Sequence, residues 1–187
     1  METIQVESID KEFIAAVERE SGQLVAQCYQ CGNCTAGCPL TFTFDIPVHQ
    51  IMRLLQVGQK DRVLRSHAIW LCATCETCTT RCPREIDVAR VMDVLRILSR
   101  RAGTVSEEGV RTFYDSFLDS VKSHGRLYEL GVIMKYNLQT RRPFTDAGLG
   151  PKLLGKGKIH LLPGTIKGAG AVKQIFKRFA RKRSNED

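Results

Sequence analysis

The sequence predicts a mainly α protein with an extended, basic C-terminal arm, and three observations carry that expectation. Apolar residues recur at helical spacing in one segment after another from residue 8 to residue 139, with no convincing two-residue alternation. All eight cysteines fall in two identical runs joined by a helical spacer. The net positive charge is confined to the last quarter. Residues 1–140 carry 16 Lys and Arg against 17 Asp and Glu, whereas residues 141–187 carry 12 against 3, and together these make the net +8. With 187 residues, 43% hydrophobic and 26% charged, the chain suits one or two small domains and is too apolar for disorder throughout. The expected organisation is a cysteine-bearing domain over 1–105, additional packing helices over 106–140, and a Gly- and Lys-rich arm with a short helix over 141–187.

Each element has a local reason. Residues 8–21 form an amphipathic helix, with Ser8 as N-cap, Ile9, Phe13, Ile14 and Val17 on one face, and Gly22 as stop. Residues 24–44 form the first cysteine loop, where Gly32 and Gly37 ease tight turns. Pro47 suits the first turn of a helix that carries Val48, Ile51, Met52, Leu54 and Leu55 and stops at Gly58. A further helix over 60–70 delivers Trp70 and Leu71 to the second cysteine loop. Beyond Pro83, Asp87 caps a helix over 87–101 with Val88, Val91, Val94, Leu95 and Leu98 along one stripe. Val110, Phe113, Tyr114, Phe117, Leu118 and Val121 make another stripe, and 126–139 a further helix. From 141 to 170 no period is visible, so an extended arm is expected. A basic helix over about 171–182 sets Val172, Ile175, Phe176 and Phe179 on one side among Lys173, Lys177, Arg178, Arg181 and Lys182. Trp70, Met52, Met92 and Met134 read as core residues.

The cysteines carry the chemistry. Cys28-x2-Cys31-x2-Cys34-x3-Cys38-Pro39 repeats 44 residues later as Cys72-x2-Cys75-x2-Cys78-x3-Cys82-Pro83, and no cysteine is left over. The run is that of bacterial two-cluster ferredoxins, in which the fourth cysteine ligates the other cluster. Three closely spaced thiolates wrap one turn of backbone around three corners of a cube, and the proline stops the turn. The expectation is two [4Fe–4S] clusters, one on Cys28, Cys31, Cys34 and Cys82, the other on Cys72, Cys75, Cys78 and Cys38. Disulfides would fit a secreted chain, but the acidic N-terminus METIQVESIDKEF has no apolar h-region. Structural zinc needs two pairs per site and explains neither the third close cysteine nor the Cys-Pro. A redox dithiol would leave six thiols without a role. His49 and His67 are not needed as ligands, since no cysteine is missing from either set.

The segments CYQCGNCTAGCPLTF and CATCETCTTRCPREID resemble the cluster motifs of the C subunits of heterodisulfide reductase, a family of small soluble proteins with a helical two-cluster ferredoxin-like domain. A similar domain occurs in the iron–sulfur subunits of succinate dehydrogenase and anaerobic glycerol-3-phosphate dehydrogenase, and in proteins of dissimilatory sulfur metabolism. The resemblance extends over residues 8–140 in organisation. It implies an electron-transfer subunit of an oxidoreductase, cytoplasmic and from an anaerobe. Electrons would pass from the flavin-containing A subunit to the B subunit, where the coenzyme M–coenzyme B heterodisulfide of methanogenesis is reduced. Hydrogenase or formate dehydrogenase would feed flavin-based electron bifurcation in the larger complex. The chain itself would hold no catalytic residue: every thiol is committed to a cluster, and there is no glycine-rich phosphate loop. The alternative is an iron–sulfur subunit of a membrane-associated quinone-linked or sulfur-metabolism oxidoreductase.

The remaining signals concern tuning and docking. Arg81 and Arg84 flank Cys82 as candidate tuning cations, with solvated surface arginines or a partner contact as the alternatives. Glu76 stands where the first motif has Gly32 and would act in the opposite direction, so the two clusters are expected to differ in potential. The basic tail is poor in stacking aromatics, with only Phe144, Phe176 and Phe179, so nucleic acid is not expected. No run approaches the roughly 18 apolar residues of a membrane span. Of a solvated tail, a helix on an anionic membrane and a protein-docking tail, the last suits a relay best, because a relay must touch both donor and acceptor.

Overall fold

The computed structural model describes residues 9–142, 148, 155–156 and 162–184, and the chain divides into two compact units, Met1–Glu107 and Glu108–Asp187. The described residues hold helices and turns and no strand.

In the first unit, α1 (Lys11–Ser21) is capped by Asp10, whose Oδ1 accepts the Phe13 N–H at 2.8 Å, and is closed by Gly22 in the left-handed conformation. The cap is therefore Asp10 and not Ser8: Asp10 stands three residues before the N–H it accepts from, so the helix starts two residues later. A 3-10 turn (Val25–Gln27) leads into the first cysteine loop, which contains the one-turn α2 (Asn33–Ala36). After a second 3-10 turn (Thr41–Thr43) comes α3 (Val48–Gln56), which has Pro47 at the N-cap.

The helix expected over 60–70 is two helices, α4 (Lys60–Leu64) and α5 (Ala68–Leu71). Asp45 explains the break. Its carboxylate accepts the Ser66 hydroxyl at 2.8 Å and the His67 and Ala68 N–H groups at 3.1 and 3.0 Å, so these donors leave the helical ladder. The second loop contains α6 (Thr77–Thr80), and α7 (Val88–Arg101) follows with Asp87 as its expected cap.

The core of this unit comes from the faces read off the sequence, with Phe13, Val17, Ile51, Met52, Leu55, Val91, Met92 and Leu95 0–4% exposed, and Ile69 joins them. Trp70, at 2% exposure, donates from Nε1 to Ser99 Oγ at 3.2 Å, and Ser99 in turn donates to the Leu64 carbonyl at 2.9 Å. It is a core residue, as expected.

The second unit is built differently. It contains α8 (Glu108–His124), α9 (Glu129–Gln139) and α10 (Ala169–Ser184), with α9 and α10 both packed on α8. The apolar stripe of α8 is not what is buried: Phe113, Tyr114 and Leu118 are 37–46% exposed, whereas Ser116 and Ser120 are buried. Small polar residues let α9 approach closely, and hydrogen bonds fix it there. Ser120 Oγ accepts the Tyr128 N–H at 2.8 Å, and Ser116 Oγ bonds Gln139 at 3.3 Å. The Tyr128 bond also delays the start of α9 to Glu129. Met134 is 63% exposed and so is not a core residue, unlike Met52 and Met92. On α10, Val172 and Phe176 are half-buried while Ile175 and Phe179 stand 62% and 67% exposed. Most of the arm expected over 141–170 lies outside the described residues.

Candidate iron–sulfur centre

The two cysteine loops have one backbone written twice. Gln30 and Gly32 take positive φ (63° and 80°), as do Thr74 and Glu76 (51° and 61°) at the equivalent positions. Two left-handed residues in each loop curl the chain so that three cysteines face one centre, and the following turn of helix, α2 or α6, buries the third, Cys34 or Cys78. The N–H of each fourth cysteine closes a turn, Cys38 on the Thr35 carbonyl and Cys82 on the Thr79 carbonyl, both at 3.1 Å. The loops meet through α2 and α6. At that contact Gly37 faces its own counterpart: a Cβ on Gly37 would lie 2.4 Å from Arg81 Cδ. Arg81 is exposed and its stem lies along Gly37, so its position is a packing position first.

Cys28, Cys31 and Cys34 from the first loop and Cys82 from the second line one hollow of about 320 Å³ including its mouth, together with Gly32, His49, Met52 and Ile86. Among the other four, Cys72 has both Cys38 and Cys78 as electrostatic neighbours, while Cys75 is exposed, with Sγ 3.4 Å from Thr77 Oγ1. All eight are unbridged.

Burial pushes the Cys34 and Cys72 thiols up, and burial with the neighbouring Cys72 pushes Cys78 to about 11. The Thr77 hydrogen bond holds Cys75 below the ordinary thiol range. Buried thiols ionise reluctantly by themselves and do so when metal supplies the countercharge. A hollow lined by four thiols and an apolar wall fits a cubane of iron and sulfide, to which the thiolates would bond.

Residues 24–86 match the family model described as "4Fe-4S dicluster domain". This region is a dicluster domain. Its eight cysteines serve two [4Fe–4S] clusters. The chain is similar to the C subunit of the "H(2):CoB-CoM heterodisulfide,ferredoxin reductase" of Methanothermobacter thermautotrophicus, at 38% identity over 51% of this chain and 52% of that one. Similarity to the iron-sulfur C subunit of the "CoB--CoM heterodisulfide reductase" of Methanopyrus kandleri is also 38%, over 48% and 47%. For the C subunit of the "Ferredoxin:CoB-CoM heterodisulfide reductase" of Methanosarcina mazei it is 36%, over 52% and 60%. The chain thus has homologues among the C subunits of an oxidoreductase and spans about half the length of the curated relatives it matches.

Around the dicluster domain, the side chains that hold the loops are ones that motif reading does not find. Gln56, at the end of α3, donates from Nε2 to the Val25 and Cys28 carbonyls at 3.1 and 2.7 Å. Arg96 on α7 donates to the Ile69 and Cys72 carbonyls at 2.9 and 2.6 Å. These are equivalent places in the two halves, filled by a neutral amide and a guanidinium. Thr35 and Thr79, each directly after the third cysteine, hold the N-terminus of the next helix by accepting the His49 N–H (3.0 Å) and the Ala89 N–H (3.2 Å). The threonines were open to recognition, since both motifs read Cys-Thr; Gln56 and Arg96 were not, because nothing in their types pairs them. His49 is half-buried against Thr35, and His67 is paired with Glu107.

Proposed function

We propose that this chain is the electron-transfer subunit of a cytoplasmic heterodisulfide reductase complex. It would receive electrons from a flavin-containing A subunit and pass them to a B subunit that reduces the coenzyme M–coenzyme B heterodisulfide, with hydrogenase or formate dehydrogenase in the larger assembly. The observation that carries this reading is the dicluster domain in a chain whose relatives are subunits of that reductase. Bound clusters supply one-electron exchange. The polypeptide contributes eight thiolates, loops curled by four left-handed residues, and an apolar wall.

In this reading Cys28, Cys31, Cys34 and Cys82 hold the first cluster, and Cys72, Cys75, Cys78 and Cys38 the second. The shared hollow of Cys28, Cys31, Cys34 and Cys82 supports the first set, and the proximity of Cys38 to Cys72 the second. Docking falls to residues beyond the helices of 106–140. On α10, exposed Ile175 and Phe179 beside Lys173, Lys177, Arg178 and Arg181 suit a partner surface that is acidic around an apolar centre. Among the described residues no helix is long and apolar enough to cross a membrane.

Anoxic affinity purification from native cells, with the co-purifying chains identified and their flavin, haem and iron measured, tests the assignment. A flavoprotein together with a cysteine-rich chain is the expected result. The same basic, apolar face of α10 also suits an anionic membrane surface. A haem-bearing membrane protein would therefore move the chain to the quinone-linked class. Removing residues 141–187 should weaken assembly and leave iron content unchanged.

A further inference from the structure

Thr35 and Thr79 occupy the same place in the two halves but face opposite partners. Each hydroxyl lies within hydrogen-bonding reach of the thiol before it, Cys34 or Cys78, and each accepts a backbone N–H from the helix that follows. A hydroxyl has one proton to give and two lone pairs to fill. In the second half, Thr79 Oγ1 lies 3.0 Å from Asp87 Oδ1, and an ionised carboxylate only accepts. The single proton of Thr79 goes to Asp87 and is lost to Cys78. In the first half the third partner is the His49 ring, with Nδ1 2.8 Å from Thr35 Oγ1. An imidazole nitrogen can donate. With Nδ1–H and the His49 N–H filling both lone pairs, the Thr35 proton is left for Cys34.

We propose that His49 and Asp87 set the two threonine hydroxyls in opposite sense, so that Thr35 donates a hydrogen bond to the Cys34 thiolate and Thr79 gives none to Cys78. The inference rests on the two-cluster reading and deepens it. Hydrogen bonds to ligand sulfur stabilise the reduced, more negative cluster and raise its potential. Thr35 therefore raises the potential of the cluster held by Cys34, and Thr79 does nothing comparable for the other. The claim concerns each hydroxyl and not the order of the two potentials, because Arg96 beside Cys72 also favours reduction of the second cluster.

The test is a redox titration of the full-length, cluster-loaded chain followed by electron paramagnetic resonance, with iron and sulfide counted on every sample. In Thr35→Val one of the two potentials should fall while the other holds. Thr79→Val should move neither by a comparable amount. Asp87→Ala removes the carboxylate oxygen that the Thr79 hydroxyl and the Arg90 N–H share, which frees the Thr79 proton for Cys78 at the cost of the α7 cap. That variant should raise the potential that Thr35→Val leaves alone. Unchanged potentials in Thr35→Val, or a fall in Thr79→Val as large as in Thr35→Val, would overturn the proposal. If Thr35→Val fails to hold iron, Asp87→Ala decides: no rise, or an equal rise in Asp87→Ala with Thr79→Val added, overturns it. An unmodified chain with fewer than two clusters would overturn the two-cluster reading instead, and this inference with it.

Discussion

The two halves of the dicluster domain share a backbone and differ in what is written on it. Gln56 and Arg96 make the same pair of carbonyl contacts, yet only the second brings a charge to the loop it holds. Gly32 and Glu76 share a left-handed turn, which costs an L side chain strain that glycine avoids. Gly37 and Arg81 meet at the contact between the loops, where one side chain fits and a second would collide with it. The comparison teaches that the repeat fixes geometry, whereas charge and strain are set separately in each half. Two sites of one shape can thus have different electronic surroundings.

The strongest way to break the symmetry is to remove a fourth cysteine. Cys82→Ser should abolish the same cluster as Cys28→Ser, judged by iron content and by which paramagnetic signal disappears. If it instead behaves like Cys72→Ser, the exchange of fourth ligands between the halves is wrong. Arg96→Gln makes the second half resemble the first. It removes charged hydrogen bonds from a side chain that is 17% exposed, so it should cost about 2 kcal/mol in thermal unfolding and lower one potential only. Gly32→Ala meets no neighbouring atom within 4 Å, so its cost of about 1–2 kcal/mol should be backbone strain alone.

Asp45 has no counterpart in the shorter second link. Burial pushes its carboxyl up, but the Ser66 hydroxyl and the His67, Ala68 and Ile46 N–H groups outweigh that and leave it below the ordinary carboxylate range. Its stabilisation is complete above the unfolded-state value near 4 and is lost as pH falls through the lower folded value. Asp45→Ala should cost about 1 kcal/mol at neutral pH and flatten the acid limb of the stability profile. The smallest effect is expected from Glu76→Gly, a gain of under about 1 kcal/mol from relief of the left-handed turn, offset by glycine's extra entropy when unfolded.

Much of the first unit was legible because its helices bury the stripe they display. Phe13, Val17, Ile51, Leu55, Val91 and Leu95 are core residues in sequence and in space. The break between α4 and α5 was not legible, since its cause, Asp45, lies more than twenty residues upstream. The α8 stripe misled for another reason. Ser116 and Ser120 won the helix–helix contact through close approach and hydrogen bonds, which hydrophobic periodicity does not register. At the site, spacing identified all the thiols but not the groups that aim them. Gln56 and Arg96 act on backbone carbonyls, and any side chain with donors and reach could occupy their places.

Asp45 and Gln23 each bond across the halves with no cysteine involved. Asp45, after the first motif, holds the approach to the second at Ser66, His67 and Ala68, and Gln23 Oε1, before the first motif, accepts the Asp87 N–H beyond the second at 2.9 Å. Filling either site therefore stiffens segments that lead to the other, and the coupling is reciprocal. Assembly should be cooperative, while a chain with one disabled site can still fill the other. An iron-starved cell would then hold more complete and more empty chains than independent filling gives, and so would lose clusters by whole chains.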